Sequence, residues 1–314
     1  MLLQTQQRTL VAISHYNYDS RPSQSTSQCA KRHSFGCDLS KREFCGAVLG
    51  VDEVVHNITE ALKQYDLYNN SVIVFVSDNG GSTKFGGNNF PLRGAKSTLY
   101  EGGNRVPGFI HSPLLKKTGY TYSGLFHIVD WYTTFLHLAG IEPDKNANLN
   151  GFNQWESVSE GKPSPRTEFP YLMDTYEGTK IGAVRVGDYK LIDGPGGISD
   201  SWITENETEG FDGAFIMNQE RWKLLFNLTD LSPKLFNLAM DPTEKHNLAD
   251  EEPEKLAEMR KRFDYYFKMA KPAVKLVGDP KADPANFGGV YIPGWCKAYD
   301  DVPKTHGDTY YNTV

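Results

Sequence analysis

The feature that most constrains the fold is an uninterrupted apolar run, Val72 to Val76, that ends at the polar segment Ser77-Asp78-Asn79-Gly80-Gly81. Such a β-branched and aromatic run predicts a strand that is buried on both faces, as in parallel sheets covered by helices. Before it, apolar residues recur at helical spacing from Val48 and predict an amphipathic helix that ends near Tyr65. This order predicts α/β organisation, in which ligands bind beyond the carboxyl ends of the strands.

The bulk composition excludes some classes of protein. A net charge of −6 over 314 residues argues against a nucleic-acid partner, because nucleic-acid-binding proteins usually carry a basic surface. No apolar run is long enough to cross a bilayer, so we expect no membrane span. Residues 1–8 lack the apolar core of a signal peptide, so we expect no signal peptide in this chain.

Cysteines and glycosylation patterns bear on the cellular compartment. The cysteines show no C-x-x-C pairing, which leaves both free thiols and disulfides open: Cys29, Cys37, Cys45 and Cys296. Four triplets fit the N-glycosylation pattern, and they start at Asn57, Asn69, Asn206 and Asn227. These patterns favour a glycoprotein that enters the export route.

Changes of pattern along the chain predict four segments. Residues 1–43 form a divergent polar N-terminal segment, and residues 44–150 form part of an α/β domain. The turn-rich stretch 151–166 is predicted to be a linker. Residues 167–314 are predicted to form a smaller C-terminal domain with an antiparallel sheet and a helix.

Several shorter elements are predicted within these segments. A helix should end at Ala139-Gly140, because glycine is favoured just after the last helical turn. Gly187-Asp188 should join the two strands of a hairpin. The remaining predictions are strands near 107–110, 222–226 and 235–238, and a charged helix from 251 to about 271.

Polar residues that could carry chemistry follow the predicted buried strand. Asp78 and Asn79 offer hard oxygen donors, which suit calcium or magnesium, although Asp-Asn-Gly is also a common turn sequence. The glycine-rich stretch 86–107 carries Arg93, Lys96 and Arg105, which could meet an anion or lie in a solvated loop. A metal beside a lysine is an arrangement that holds phosphoryl or sulfuryl esters.

Three consecutive motifs resemble the sulfatase family, and within it most closely the arylsulfatase B branch, the N-acetylgalactosamine-4-sulfatases. They are the strand with Ser77-Asp78-Asn79-Gly80-Gly81, then Gly87-Asn88-Asn89-Phe90-Pro91-Leu92-Arg93-Gly94-x-Lys96, then Leu99-Tyr100-Glu101-Gly102-Gly103-x-Arg105. The segments 51–55, 127–134 and 235–249 are similar to the family as well, so the resemblance covers about residues 43 to 300. The last of these segments includes Asp241-Pro242-Thr243-Glu244, which resembles a C-terminal signature of the family.

The resemblance implies a fold and roles for particular residues. It implies an alkaline-phosphatase-like α/β sandwich, with a mostly parallel sheet between helices. Asp78 and Asn79 match the second pair of calcium ligands, and Lys96 matches the lysine that contacts the substrate sulfate. Arg105 matches a residue that we expect to hold structure. Ca²⁺ and a sulfated glycan or aryl sulfate are therefore the expected cofactor and substrate class.

Some family features are absent from these 314 residues. No Cys or Ser stands in a C/S-x-P-S/A-R motif, whose nucleophile is oxidised to formylglycine in the family. The nearest string, Ser20-Arg21-Pro22-Ser23-Gln24, has Gln where the motif has Arg. The early Asp-Asp pair that completes the calcium site is also missing, and two oxygen donors are fewer than calcium requires. We therefore expect this chain by itself to be inactive, and its apolar strand to present an unpaired edge and a bare face.

Three hypotheses follow from the sequence. The first is an arylsulfatase B-like sulfuric ester hydrolase represented by an incomplete chain, lysosomal or secreted by resemblance. The second is a non-catalytic, sulfatase-derived glycan-binding or secreted matrix protein that keeps the surface around Lys96. The third is a phosphoesterase of the same superfold, which the lysine loop and the C-terminal signature disfavour. The sequence does not specify an oligomeric state.

Overall fold

The computed structural model describes residues 2–4, 9–13, 39–83, 86–144, 147–176, 178–197, 202, 230–271 and 283–290. The chain forms two compact units, residues 1–270 and residues 271–314. All elements of the candidate site lie in the first unit. In the second unit, the described residues include a 3₁₀ turn, Pro284–Phe287, in which the N–H of Ala285 donates to the side chain of Asp283.

The first sheet has the strand order β1-β2-β3-β4: β1 (Leu2–Gln4), β2 (Thr9–Ile13), β3 (Ser71–Val76) and β4 (Gly108–His111). Only the pairing of β2 with β3 is parallel among these described strands. The expectation of a mostly parallel sheet is therefore wrong for this part of the chain. The reason lies in the connections. The chain between β1 and β2 is too short for the crossover that a parallel pair requires, and the stretch between β3 and β4 is a loop with one helical turn instead of a helical crossover.

Helices cover both faces of β3. On one face, Ile73 packs against Leu62 of α1 (Leu39–Gln64), which confirms the amphipathic helix. On the other face, Val72 and Val74 pack against Leu138 of α3 (Asp130–Leu138). The strand predicted to be buried on both faces is confirmed. The expectation of an unpaired edge and a bare face is wrong, because β2 and β4 flank this strand.

Short helices follow β3 along the chain. α2 (Glu101–Asn104) is a single turn within the glycine-rich stretch, and α4 (Trp155–Glu160) lies inside the stretch predicted to be a linker. α3 ends at Leu138, and Gly140 has a left-handed φ of 68°, as predicted for the residue after a helix. Of the described helices, none is both long and apolar enough to cross a membrane.

The second sheet is antiparallel, with the order β5-β6-β7-β8: β5 (Glu168–Tyr176), β6 (Thr179–Val186), β7 (Tyr189–Asp193) and β8 (Lys234–Asn237). The predicted hairpin is confirmed as β6 and β7. α5 (Pro253–Met269) packs Met259 and Phe263 against one face of this sheet. Tyr100 from the glycine-rich stretch packs against the other face. This sheet therefore supports the candidate site directly.

Some sequence predictions are not decided by the structure. The strand predicted at 222–226 lies outside the described residues. The segment boundaries 1–43, 44–150, 151–166 and 167–314 stay predictions. Backbone contacts nevertheless join the second sheet and the α/β part into one compact unit.

Candidate functional site

The glycine-rich stretch begins and ends at one edge of the first sheet. Val76, the last residue of β3, pairs with Gly108, the first residue of β4. The N–H of Ser77 donates to the carbonyl oxygen of Pro107 at 3.1 Å and closes the base of the stretch. Residues 77–107 therefore emerge from the carboxyl end of β3, where ligands bind in α/β sheets.

Close backbone contacts organise this stretch. A Cβ atom on Gly80 would lie 1.7 Å from the carbonyl oxygen of Gly102, and the N–H of Gly80 donates to the carbonyl oxygen of Gly103 at 3.0 Å. The N–H of Gly102 donates in turn to the carbonyl oxygen of Arg93 at 2.7 Å. The glycines thus allow three loop segments to approach one another, which no larger residue would permit.

Lys96 is joined to the loop that carries Asp78 and Asn79. Its N–H donates to the carbonyl oxygen of Gly81 at 3.2 Å. Asn89 reinforces this junction, because its side chain accepts from the N–H of Gly81 at 2.7 Å and donates to the carbonyl oxygen of Gly81 at 2.9 Å. The structure thus joins the backbone of Lys96 to Gly81, which lies two positions after Asn79 in the chain.

The oxygen donors of Asp78 and Asn79 are available for a cation. Asp78 is exposed, and its Oδ1 accepts the N–H of Asn79 at 2.9 Å. The side-chain nitrogen of Asn79 donates to the carbonyl oxygen of Gly80 at 2.8 Å, which leaves Oδ1 as an acceptor. A carboxylate with an amide oxygen fits calcium in kind. Within the described residues, no cluster of three or more His, Cys, Asp or Glu side chains completes such a site.

The three candidate cations have different surroundings. Lys96 is exposed, and no described residue forms a hydrogen bond or ion pair with its ammonium group. Arg93 instead stacks on the rings of Tyr100 and Trp202, at 4.1 and 4.7 Å, and donates to the carbonyl oxygen of Glu244 at 3.1 Å. Arg93 therefore stabilises the loop and is not presented to an anion. Arg105 is exposed like Lys96, and its charge acts on the buried carboxylate of Glu101.

The sequence motifs did not predict a buried ion cluster that contacts the glycine-rich stretch. Lys190 of β7 is 0% exposed, and its Nζ lies 2.9 Å from Glu101 Oε1 and 2.8 Å from Glu244 Oε1. Burial opposes the charge on Lys190, but Tyr171, Glu101 and Glu244 outweigh it and raise its pKa. Burial also opposes the charge on Glu101, yet Lys190 and two arginines lower the pKa of that carboxyl. One signal could have revealed the cluster: a lysine inside the otherwise apolar strand sequence Tyr189-Lys190-Leu191-Ile192.

A second buried ion pair holds the segment after the glycine-rich stretch. Asp130 accepts from Arg166 Nη2 at 2.5 Å and from Arg166 Nε at 2.8 Å. It also accepts the N–H groups of His127 and Phe152 at 2.9 and 2.8 Å. Burial raises the pKa of Asp130, but these hydrogen bonds outweigh it and hold that pKa below its ordinary value. The segment 127–134, which the sequence analysis treated as a family resemblance, therefore begins at a structural anchor.

The chain has the α/β fold of the alkaline-phosphatase-like class, as its similarity to solved structures shows. The sulfatase family model matches residues 11–141. Over 285 residues the chain is 36% identical to arylsulfatase J of Mus musculus, which covers 86% of this chain and 47% of that protein. Over 210 residues it is 30% identical to N-acetylgalactosamine-6-sulfatase of Homo sapiens, covering 65% of this chain and 38% of that protein. The chain belongs to the sulfatase family.

Solved structures agree with this fold. Ps i-CgsB in complex with k-i-k-neocarrahexaose matches with a TM-score of 0.61 and 27% identity, covering 80% of this chain and 48% of that chain. The PsFucS1 sulfatase from Pseudoalteromonas sp. matches with a TM-score of 0.53 and 23% identity, covering 71% of this chain and 42% of that chain, and shows the fold alone. This chain spans about half the length of these relatives or less. The predicted arylsulfatase B branch stays a prediction.

Proposed function

We propose that this chain is part of a sulfuric ester hydrolase that acts on sulfated glycans or aryl sulfates. The observation that carries the proposal is the hydrogen bond from Lys96 N–H to the carbonyl oxygen of Gly81, which joins the lysine loop to the Asp78-Asn79 loop at the carboxyl end of β3. An exposed lysine on a loop that is joined to the loop with two oxygen donors suits a sulfate ester whose oxygens also meet a cation. Relatives named as sulfatases support the same reaction class.

Each of the predicted site residues has a specific role in this proposal. Asp78 and Asn79 would supply two oxygen ligands to Ca²⁺, with the remaining ligands from outside the described residues. When bound, the cation would withdraw charge from the sulfate oxygens as the S–O bond breaks. Lys96 would contact the sulfate, and its position would depend on the loop that Gly81 and Asn89 hold. The arylsulfatase B-like substrate, a 4-sulfated N-acetylgalactosamine, belongs to this proposal as its most specific form.

The first prediction concerns sulfate binding by the natural protein, in which residues outside the described ones would complete the calcium site. We expect inorganic sulfate to bind more tightly in the presence of Ca²⁺, and Lys96→Ala to weaken that binding by about 10-fold, because a charge-assisted hydrogen bond is lost. Asp78→Ala should abolish the calcium dependence. Isothermal titration calorimetry measures both effects. Lys261→Ala is the matched control, since it removes an exposed lysine of α5 and changes the net charge equally.

The reaction itself is tested on the natural protein and its variants, expressed from the full natural transcript in a secretory host. Hydrolysis of a chromogenic aryl sulfate should require Ca²⁺ and be lost in Lys96→Ala, while Lys261→Ala retains it. The intact mass and N-terminal sequence of the same preparation show whether it contains a C/S-x-P-x-R segment. Turnover that is unchanged in Lys96→Ala would contradict the role proposed for this residue.

One observation favours a second function, which is glycan binding without hydrolysis. The ammonium group of Lys96 is exposed and has no described ion partner, so it could bind a sulfate group without any reaction. In that case the chain binds a sulfated glycosaminoglycan and the natural protein hydrolyses no sulfate ester. The two experiments above therefore separate the two functions.

We extend the proposal to a lysosomal or secreted glycoprotein. Asn57 on α1 and Asn69 are both exposed and stand in acceptor triplets, and Cys45 is disulfide-bonded, as oxidising compartments favour. After expression in a secretory host, peptide-N-glycosidase should lower the intact mass. Asn57→Gln and Asn69→Gln should each remove the mass of one glycan. An intact mass equal to that of the bare polypeptide would contradict this expectation.

A further inference from the structure

Lys190, the buried lysine of β7, contacts carboxylates that hold the loops of the candidate site. Lys190 lies between Glu101, the first residue of α2, and Glu244, which follows β8 in the chain. We infer that Lys190 is a positioning residue, whose ammonium group fixes the loop that presents Lys96. No motif in the sequence analysis gave Lys190 or Glu244 a role, although Glu244 belongs to the C-terminal signature.

Glu244 holds the Lys96 segment at both of its ends. Its backbone carbonyl oxygen accepts from Arg93 Nη1 at 3.1 Å, and its Oε2 accepts the N–H of Glu101 at 2.6 Å. Lys96 lies between Arg93 and Glu101 in the chain. The position of the Glu244 side chain therefore constrains where the Lys96 backbone lies, and Lys190 contacts that side chain at 2.8 Å.

Backbone hydrogen bonds connect the segment that begins at Glu101 to the loop of the proposed metal ligands. The N–H of Gly102 donates to the carbonyl oxygen of Arg93, and the carbonyl oxygen of Gly103 accepts the N–H of Gly80 at 3.0 Å. Gly80 directly follows Asn79. A displacement of Glu101 would therefore move both halves of the candidate site, the lysine loop and the Asp78-Asn79 loop.

The charge balance shows why an ammonium group is required here. Glu101 is 2% exposed and Glu244 is 0% exposed, so neither carboxylate is solvated by water. The other groups that face Glu101 are Arg185, whose Nη1 lies 4.0 Å from Glu101 Oε2, the charge of Arg105, and the hydroxyl group of Tyr171, which donates to Oε1 at 3.4 Å. Without Lys190 the two buried carboxylates would repel each other until one of them bound a proton or the loop moved.

The experiment compares hydrogen exchange in the intact chain and in Lys190→Met. At pH 7, we expect the amides of Lys96, Gly102 and Gly103 to exchange about 100-fold faster in the variant, because loss of a buried ion partner opens the loop. At pH 5, after correction for intrinsic exchange rates, the difference should shrink, since a carboxyl group then takes up a proton. The double variant Lys190→Met/Glu101→Gln should regain most of the protection at pH 7.

A second buried lysine provides the matched control. Lys234 of β8 is 6% exposed, and its Nζ lies 3.0 Å from Oδ2 of Asp230, which precedes this strand in the chain. Lys234→Met should lower global stability without a pH-dependent opening of residues 93–104. A loop that exchanges equally in Lys190→Met and in the intact chain would overturn the inference. Equal loss of protection at both pH values, with no rescue by Glu101→Gln, would also overturn it, since that result indicates a packing role alone.

The sulfate-binding test of this inference rests on the proposed function, whereas the hydrogen-exchange test does not. Lys190→Met should weaken calcium-dependent binding of inorganic sulfate by about 10-fold or more at pH 7 and less at pH 5. If the natural protein binds no sulfate, the proposed function fails, while the exchange data still decide the role of Lys190. If the natural protein binds sulfate and its Lys190→Met variant binds it equally, the positioning role fails and the proposed function stands.

Discussion

Gly80→Ala is expected to destabilise the chain by about 3 kcal/mol and to eliminate sulfate binding, because the added Cβ would overlap the carbonyl oxygen of Gly102. The distance between them would be 1.7 Å, and the next nearest atoms, the carbonyl carbon of Gly102 and the Cα of Gly103, would lie at 2.8 and 3.0 Å. All three are backbone atoms, so no side-chain rotation relieves the overlap. The two loops would have to separate and break the hydrogen bond between Gly80 and Gly103.

Gly119→Ala is the matched control for this steric effect. Gly119 has a φ of 70°, but no atom lies within 4 Å of the Cβ that alanine would add. Gly119→Ala should therefore lower the free energy of unfolding through the backbone conformation alone, by about 1 kcal/mol. Urea denaturation followed by tryptophan fluorescence measures the free energy of unfolding of both variants. Equal losses in the two variants would show that the two loops do not approach this closely in solution.

Asp130→Asn is expected to lower the free energy of unfolding by about 3 to 5 kcal/mol at pH 7, because it leaves a buried guanidinium without its counter-charge. Arg166 is 6% exposed and donates two hydrogen bonds to this carboxylate. The matched control is Asp264→Asn, which removes an ion pair with Lys180 at 2.6 Å where both side chains are 50% exposed. An exposed pair of this kind contributes about 1 kcal/mol at most.

The loss in Asp130→Asn should depend on pH. The pKa of Asp130 is lowered in the folded chain, so this group contributes stability that is present above the unfolded pKa of about 4 and is lost as the pH falls through the folded pKa. The difference between the variant and the original chain should therefore be largest near neutral pH and shrink below about pH 4. Urea denaturation across that range measures it, and a difference that grows on acidification would contradict the ion pair.

Local patterns in the sequence predicted several elements correctly. The run Val72–Val76 predicted a strand that is covered by helices on both faces, because an uninterrupted apolar stretch has no face that water can solvate. The helical spacing before it gave α1, and Gly187-Asp188 gave the β6–β7 hairpin. The Asp78-Asn79 loop and the Lys96 loop were placed at the end of the same strand. All of these signals lie within a few turns of the chain, where sequence spacing sets the geometry.

Only the tertiary structure revealed that β4 is antiparallel to β3 and that Arg93 stacks on aromatic rings. It alone also revealed the buried ion cluster that contacts the candidate site. Glu101 meets Lys190, which is 89 positions away in the chain, and Glu244, which is 143 positions away. Asp130 meets Arg166 across 36 positions. None of these partners is marked by local periodicity, because a charged residue in a sequence carries no information about which distant carboxylate or cation will share its burial. That choice is made when the second sheet packs against the glycine-rich loop, where an unpaired charge would be too costly to bury.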